Sequence, residues 1–278
     1  MAQDVSLLVD AKNALYMAIH AAGRYNNPLS IFLRQVNKAA DLSHASSLHM
    51  FWDCPRQQIW RMKIHDKYKC NSKRTHDEEI VKKLSKYTSI LKELIYYLGF
   101  RQYASDNCEA DDLIYAYVST NHPNMSVVYS SDSDIIQIPY RFGSARQLTM
   151  KHEFKQVPAI DPVILKCLVG DSSDNIPGYD GIGPVKGTKI ATDRSSLAKF
   201  LSTNDKTIFY RNLKLIDLSL SDVAYQCKIV VSETLNRAPH FDVVEAQQVL
   251  TRNGIAIDLA SMNIEKILSL IHISQQSA

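Results

Sequence analysis

Short, mostly apolar runs that stop at an acidic residue recur in the first half of the chain. Residues 5–9 end at Asp10, residues 48–52 end at Asp53, and residues 127–129 lead through two serines to Asp132 and Asp134. Apolar runs of this length, bounded by polar residues, are typical of buried strands. We therefore predict three strands, each of which delivers a carboxylate at its C-terminal end.

Helical patterns fill the intervals between these runs. Residues 14–21 are predicted to be helical, and Thr75–Glu78 matches a capping box that opens a long amphipathic helix, for which Gly99 supplies the stop. We predict a short strand over 100–103, helices over 109–118 and 161–169, and a mostly helical remainder from 195 to 278 with a frayed end. Within that remainder, residues 209–218 are predicted to be a helix end that leads into an extended segment.

The densest group of acidic residues in this part of the sequence comprises Glu109, Asp111 and Asp112, which fall within four residues. Unit charges a few ångströms apart repel by on the order of 1 kcal/mol in water. Such a cluster spreads into solvent, raises its pKa values or binds cations. Aspartates also cap strands and begin turns, and acids are favoured at helix N-termini. We favour cation binding, because carboxylates at the ends of parallel strands share one crevice.

Composition narrows the class of protein. The 278 residues are 45% hydrophobic and 22% charged, which allows one large domain or two small ones with a core. A net charge of +3 does not by itself demand a nucleic-acid partner. The five cysteines are scattered without Cys-x-x-Cys spacing, which favours neither a disulfide framework nor a zinc site. Without a long apolar run or a signal-like N-terminus, we expect a cytoplasmic protein that does not bind a membrane.

A basic segment follows the second predicted strand, and Trp60 and Tyr68 lie within it. Its basic residues are Arg56, Arg61, Lys63, Lys67, Lys69, Lys73 and Arg74. Basic side chains between aromatic rings suit a phosphate backbone and unstacked bases. A solvated surface loop is the alternative, but the position directly after a candidate ligand favours contact with a substrate.

A glycine-rich segment follows Asp171 and Asp174, two acids whose spacing could direct both at one ion or could mark a polar turn. Four glycines lie between residues 178 and 187, and Lys186 and Lys189 accompany them. Backbone N–H groups of such a loop can approach a phosphate closely.

In this order, the motifs resemble the bacterial and bacteriophage 5′-nuclease family, which comprises flap endonucleases, 5′–3′ exonucleases and the nuclease domain of bacterial DNA polymerase I. The resemblance covers roughly residues 5–220. It is most specific in residues 109–112, 132–134, 170–176 and 181–183. Residues 68–71 look like the family's Tyr-Lys-x-Asn-Arg motif, and residues 209–218 look like a segment of phage members.

The resemblance implies an α/β fold: a central, mostly parallel sheet flanked by helices, a helical arch over the active site and a helix–three-turn–helix DNA-binding module. Residues 1–160 would form the nuclease core, with the arch at about 55–90. Residues 161–278 would form a helical region with the DNA-binding module at about 165–200.

The resemblance also implies site residues. The ligands of a tighter metal site would be Asp10, Asp53, Glu109, Asp111 and Asp112, and those of a second site Asp132, Asp134, Asp171 and Asp174. Lys69, Arg61 and Arg74 would contact the scissile phosphate. Residues that bind DNA would be Tyr68, Gly178, Gly181, Gly183, Lys186 and Lys189. Three departures from the family pattern are Ala11 in place of glycine, the sequence around Asp53, and residues 72–74, where arginine does not directly follow the motif's asparagine.

The activity so implied is that of a structure-specific 5′ nuclease in DNA replication or repair. It would use two Mg²⁺ ions, which Mn²⁺ could replace, and K⁺ could bind at the DNA-binding module. The partner would be flap or branched DNA, with an RNA–DNA hybrid as a further candidate, and we expect a monomer, located in the host cytoplasm if phage-encoded. A non-catalytic DNA-binding relative and a Mg²⁺-dependent phosphatase are the alternatives.

Overall fold

A parallel sheet forms the centre of the computed structural model, which describes residues 4–23, 27–70, 78–121, 124–257 and Leu259. Its strands are β1 (Val5–Asp10), β2 (Ser47–Phe51), β3 (Arg101–Tyr103), β4 (Met125–Tyr129) and β5 (Ala145–Leu148), in the spatial order β3-β2-β1-β4-β5. All the pairings in this sheet are parallel, with Leu7 opposite both Leu48 and Val127. The carboxyl ends of β2, β1 and β4 therefore lie side by side at one edge.

Helices connect and cover the strands. They are α1 (Ala11–Ala22), α2 (Pro28–Ser43), α3 (Glu78–Tyr97), α4 (Ala110–Asn121), α5 (Gln137–Arg141), α6 (Pro162–Val169), α7 (Pro184–Ala191), α8 (Arg194–Thr203), α9 (Lys206–Ile216), α10 (Ala224–Asn236) and α11 (Val243–Arg252). A two-stranded ribbon, β6 (Gly170–Asp171) and β7 (Ile176–Pro177), lies between α6 and α7. None of the helices in these described ranges has the length and apolarity needed to cross a lipid bilayer.

Two hydrophobic cores lie on opposite faces of the sheet. On one face, α1, α2, α3 and α11 bury residues such as Leu15, Phe32 and Leu91 against β1 and β2. On the other face, α4 and α10 bury residues such as Leu113 against Phe51 and other strand residues. Each fully buried side chain of this size contributes about 1.5–3 kcal/mol, so both faces must be covered for the sheet to be stable.

A third core holds α6, α7, α8 and α9 together and extends to the basic segment after β2. Two glycines allow the close approach. A Cβ on Gly178 would lie 2.2 Å from the carbonyl carbon of Val169, and one on Gly187 would lie 2.6 Å from the Val169 side chain. Larger residues at these positions would push α7 and its loop away from α6.

The predicted fold class is confirmed, and the three strands that precede acidic residues are present. The predicted extended segment at the end of 209–218 is wrong: α9 runs to Ile216 and a 3₁₀ turn over Leu218–Leu220 follows. Sequence patterns also missed α2 and β5. The capping box at Thr75 begins outside the described residues. The division near residue 160, the arch and the helix–three-turn–helix detail stay predictions.

A buried histidine on β2, His49, faces α4. His49 Nδ1 is 2.9 Å from the Tyr103 hydroxyl, and Nε2 is 3.2 Å from the hydroxyls of Tyr117 and Ser47. Burial, and secondarily the charge of Arg101, lower the pKa of His49 from 6.5 to about 3. The imidazole is therefore neutral in the folded protein at any pH well above that value.

We expect His49 to make the fold sensitive to acid. The folded pKa lies below the unfolded one, so stability is lost as pH falls from 6.5 towards 3, by about 2 kcal/mol at pH 5. Urea unfolding at pH 7 and pH 5 should show a smaller loss for His49→Gln than for the wild type. The exposed His20→Gln variant is the control and should keep the wild-type loss.

Candidate metal centre

Asp10 ends β1 and begins α1, so the fold fixes its side chain at the strand edge. Its Oδ1 accepts the Asn13 backbone N–H at 3.1 Å, and its Oδ2 accepts the Ser130 hydroxyl at 2.9 Å. Burial and the charges of Asp53 and Asp132 raise the pKa of Asp10 to about 7. Carboxylates from the ends of β1, β2 and β4 are therefore close enough to repel one another.

Asp53 connects the end of β2 to α4. Its Oδ1 accepts the backbone N–H of Ala110 at 2.9 Å, and its Oδ2 lies 3.3 Å from the ammonium of Lys12. The first turn of α4 thus lies directly beside the strand ends. This contact explains how the acids of residues 109–112 reach the same place as Asp10.

Three acids at the start of α4 form the tightest group. Glu109, Asp111 and Asp112 each offer an oxygen within 4.8 Å of the others. Burial, together with the charges of Asp112 and Glu109, raises the pKa of Asp111 well above its usual value. A set of carboxylate oxygens with excess negative charge suits a hard divalent cation.

Arg61 is buried beneath this group, with only 1% of its surface exposed. Its two Nη atoms donate to Asp112 at 2.9 and 2.8 Å and one also donates to Glu109 at 2.7 Å, while Nε donates to the Leu215 carbonyl at 2.8 Å. Asp112 further accepts the Trp60 indole N–H at 3.0 Å. Both oxygens of Asp112 are therefore engaged by protein donors, and Arg61 has little surface left for a substrate.

Lys69 projects into the same cluster from a left-handed backbone conformation with φ of 55°. A non-glycine residue is strained there, and the surroundings hold it: the Lys69 N–H donates to the Asp174 carbonyl at 2.8 Å, and the Arg56 guanidinium donates to the Lys69 carbonyl. The ammonium contacts Glu109 and lies 3.9 Å from Asp174. Burial alone would raise the pKa of Glu109, but Lys69 and Arg61 lower it to about 2.

Lys166 of α6 links two acids of the second predicted group. Its ammonium contacts Asp134, and lies 2.6 Å from Asp171 and 2.8 Å from the Ser133 hydroxyl. Burial raises the pKa of Asp134 to about 6 in spite of this partner. Burial also raises the pKa of Asp174, and Glu109 and Asp132 add to the effect, while Lys69 opposes it.

The residues predicted to bind DNA divide into two sets. Tyr68 is buried, and its hydroxyl lies 3.1 Å from Glu109 and 3.0 Å from Asp174, so that the two carboxylates compete for its one proton. In contrast, Gly181 and Gly183 are exposed in the loop before α7. Lys186 and Lys189 are exposed on α7 itself, whereas Gly178 packs against α6. Arg74 lies outside the described residues.

Sequence reasoning missed three residues of the centre: Lys12, Lys166 and Gln147. It placed Trp60 against nucleic acid, and this is wrong, because the indole is buried with 3% of its surface exposed. Gln147 is fully buried, and its amide donates to the carbonyls of Ser130 at 3.0 Å and of Asp132 at 2.7 Å, so it fixes the loop after β4. Lys12 could have been found from the sequence, because it follows the candidate ligand Asp10 by two residues. Nothing in the local pattern singles out Gln147.

Comparison with known families decides the assignment. The family described as "5′-3′ exonuclease, N-terminal resolvase-like domain" matches residues 5–157, more than half of the chain. The chain belongs to the 5′-3′ exonuclease family. The predicted family is thereby confirmed, and the match contains Asp10, Asp53, Asp132 and the acids of 109–112.

Curated relatives agree with this membership. The 5′-3′ exonuclease of Mycoplasma genitalium is 27% identical over 214 residues, which are 66% of this chain and 70% of that protein. The 5′-3′ exonuclease of Halalkalibacterium halodurans is 24% identical over 91% of this chain and 90% of its own length. DNA polymerase I of Bacillus caldotenax matches 79% of this chain but only 29% of its own length, at 24% identity.

Solved structures share the fold of this exonuclease. The 5′-exonuclease of bacteriophage T5 with bound zinc has a TM-score of 0.67 at 17% identity, and the match covers 89% of this chain and 98% of that one. A T5 flap endonuclease complex with DNA and metal ions has a TM-score of 0.64 at 17% identity over the same shares. The arrangement of sheet and helices is therefore that of a known nuclease fold.

We expect Arg61→Gln to destabilise the metal-free protein by about 3 kcal/mol or more, because the change leaves Glu109 and Asp112 buried without their partner. Urea unfolding in EDTA measures this loss. Lys63→Gln, an exposed change in the same segment, should have little effect. If Arg61→Gln unfolded like the wild type but failed to cleave DNA, a direct phosphate contact would replace the buried ion pair as the explanation.

We expect Asp10→Asn to stabilise the metal-free protein. The folded pKa of about 7 lies above the ordinary value of 3.8, so the ionised carboxylate opposes folding increasingly as pH rises between these values. The gain for the variant should be about 2.6 kcal/mol larger at pH 8 than at pH 5. Urea unfolding in EDTA at both pH values tests this, with the exposed Asp222→Asn as the control. Equal gains at the two pH values would contradict the account.

Proposed function

We propose that this exonuclease cuts DNA close to the junction between a duplex and a single-stranded 5′ arm, with two divalent metal ions. The observation that supports the proposal is the convergence of acids from β1, β2, β4 and α4 beside the α6–α7 module. Asp134, Lys166 and Asp171 connect the acids to that module directly.

The residues present fit a pair of hard cations. Asp10, Asp53, Glu109 and Asp111 would hold one ion, and Asp132, Asp134, Asp171 and Asp174 would hold the other. Mg²⁺ or Mn²⁺ suits these oxygen donors, and when bound would supply an activated water and stabilise the leaving 3′-oxygen. Asp112 would not be a metal ligand, because its oxygens already accept hydrogen bonds from Arg61 and Trp60. Instead it would orient the turn that carries Glu109 and Asp111.

Lys69 is the side chain best placed to contact the scissile phosphate. Its ammonium lies between Glu109 and Asp174, and about a quarter of the side chain is exposed (24%). When a phosphodiester enters, the ammonium can turn from these carboxylates to the phosphate oxygens and stabilise the developing charge. The fixed backbone of Lys69 directs it to this place before substrate binds.

Duplex binding would fall to the start of α7. Gly183 is the residue before the helix, and the loop around it is open enough for backbone N–H groups to reach a phosphate. Lys186 and Lys189 would add ion pairs with the DNA backbone. Binding of K⁺ by this loop, cleavage of RNA–DNA hybrids, a monomeric state, a cytoplasmic location and a phosphate contact by Arg74 are further parts of the proposal.

The decisive test is cleavage of a 5′-labelled flap duplex with Mg²⁺ and with EDTA. We expect metal-dependent incision near the junction, and a loss of at least about a hundredfold in rate for Asp132→Asn, since one acid of the centre is removed. DNA binding by that variant should persist. The exposed Glu233→Gln variant, on α10, should cut like the wild type.

Two outcomes would contradict the proposal. Tight binding without incision in any divalent metal would favour a DNA-binding protein without catalysis. Hydrolysis of small phosphoesters without incision of DNA would favour a phosphatase.

A further inference from the structure

Two lysines that the proposed mechanism does not use border the turn after β2. Lys12, in the first turn of α1, lies 3.3 Å from Asp53, and 43% of its side chain is exposed. Lys92, on α3, places its ammonium 5.1 Å from the centre of the Trp52 ring. Because Trp52 and Asp53 are consecutive, both lysines face the same short stretch of chain.

The positive charge of this pair is not fully compensated. Among the described residues, Lys92 has no carboxylate within ion-pair distance, although it is partly buried. Burial and the nearby charge of Lys12 lower the pKa of Lys92. The carboxylate beside Lys12 is Asp53, which is a proposed metal ligand. A cation at Asp53 would compete for that carboxylate and leave both ammonium groups available to an anion.

The pair lies across Asp53 from the proposed duplex-binding module. Trp52 packs into the core that contains α1 and α3, whereas Cys54 packs into the core that contains α6, α7 and α9. Asp53 therefore lies where the chain passes from one side of the metal centre to the other. A nucleic-acid strand held at α7 and cut over the acids would continue towards Lys12 and Lys92.

We propose that Lys12 and Lys92 form a phosphate-binding subsite for the single-stranded 5′ arm as it leaves the metal centre. This inference rests on the proposed function. Ammonium groups bind phosphodiester oxygens as point charges and do not read the base sequence. The cation–π contact with Trp52 and the ion pair with Asp53 hold the two ammonium groups at consecutive residues of the chain.

The test compares two DNA duplexes that differ only in the arm. One carries a nick with a 5′-hydroxyl, and the other carries a 5′ arm of about six nucleotides, within the reach of a single-strand site. Binding is measured by fluorescence anisotropy with Mg²⁺ in an Asp132→Asn background, which is expected not to cut. The variants are Lys12→Gln with Lys92→Gln, the same pair changed to arginine, and Lys38→Gln on α2 as an exposed control.

We expect the double glutamine variant to bind the armed duplex about threefold to tenfold more weakly and the nicked duplex unchanged. For the armed duplex, the logarithm of the association constant should fall less steeply with the logarithm of the salt concentration. The slope should become shallower by about 1.4, or roughly 0.7 for each lost single-strand phosphate contact. The arginine variant should keep the affinity for the arm, because the charge remains. Lys38→Gln should bind both duplexes like its parent.

Two other outcomes would contradict the proposed subsite. An equal loss on both duplexes would mean a general effect on duplex binding or on the fold, and an undiminished preference for the arm would mean that the lysines do not contact it. The proposed function is checked separately by wild-type cleavage. If the wild type cuts at the junction while the double variant keeps its preference for the arm, only the subsite is wrong; if the wild type does not cut, the proposed function fails first.

Discussion

The buried ion pair between Arg61 and the acids of α4 joins parts of the chain that are far apart in sequence. One guanidinium binds Glu109 and Asp112 at the start of α4, and it also binds the carbonyl of Leu215 at the end of α9. A buried pair of this kind adds little stability by itself, but loss of one partner is costly. Arg61 therefore couples three parts of the chain: the basic segment, the acid cluster and the C-terminal helices. If this ion pair is lost, we expect all three to lose their relative arrangement together.

The parallel sheet provides the second constraint. Because β2, β1 and β4 run in the same direction, Asp53, Asp10 and Asp132 emerge at one edge, and the resulting repulsion is visible in the raised pKa of Asp10. This repulsion lowers the stability of the metal-free fold at the place where cations would be bound. Lysines from α1, α6 and the segment before residue 70 reduce the repulsion without removing it.

The sequence predicted the parts of this arrangement that depend on local patterns. Apolar runs before Asp10, Asp53 and Asp132 identified three strands, and the density of acids at 109–112 identified the centre. The roles of Arg61 and Asp112 could not be predicted in this way, because their pairing depends on residues 51 positions apart being buried together. Gln147 and Lys166 depend on the packing of β5 and α6, which no local signal describes.

The lysines of the centre act as tethered counterions, and this has a consequence for the affinity of the centre for divalent cations. Any ion that binds Glu109, Asp134 or Asp53 would compete with an ammonium that the chain holds at high local concentration. The apparent affinity is then lower than that of a bare carboxylate cluster. Such a centre would therefore need a higher concentration of divalent cation than the same carboxylates without the lysines.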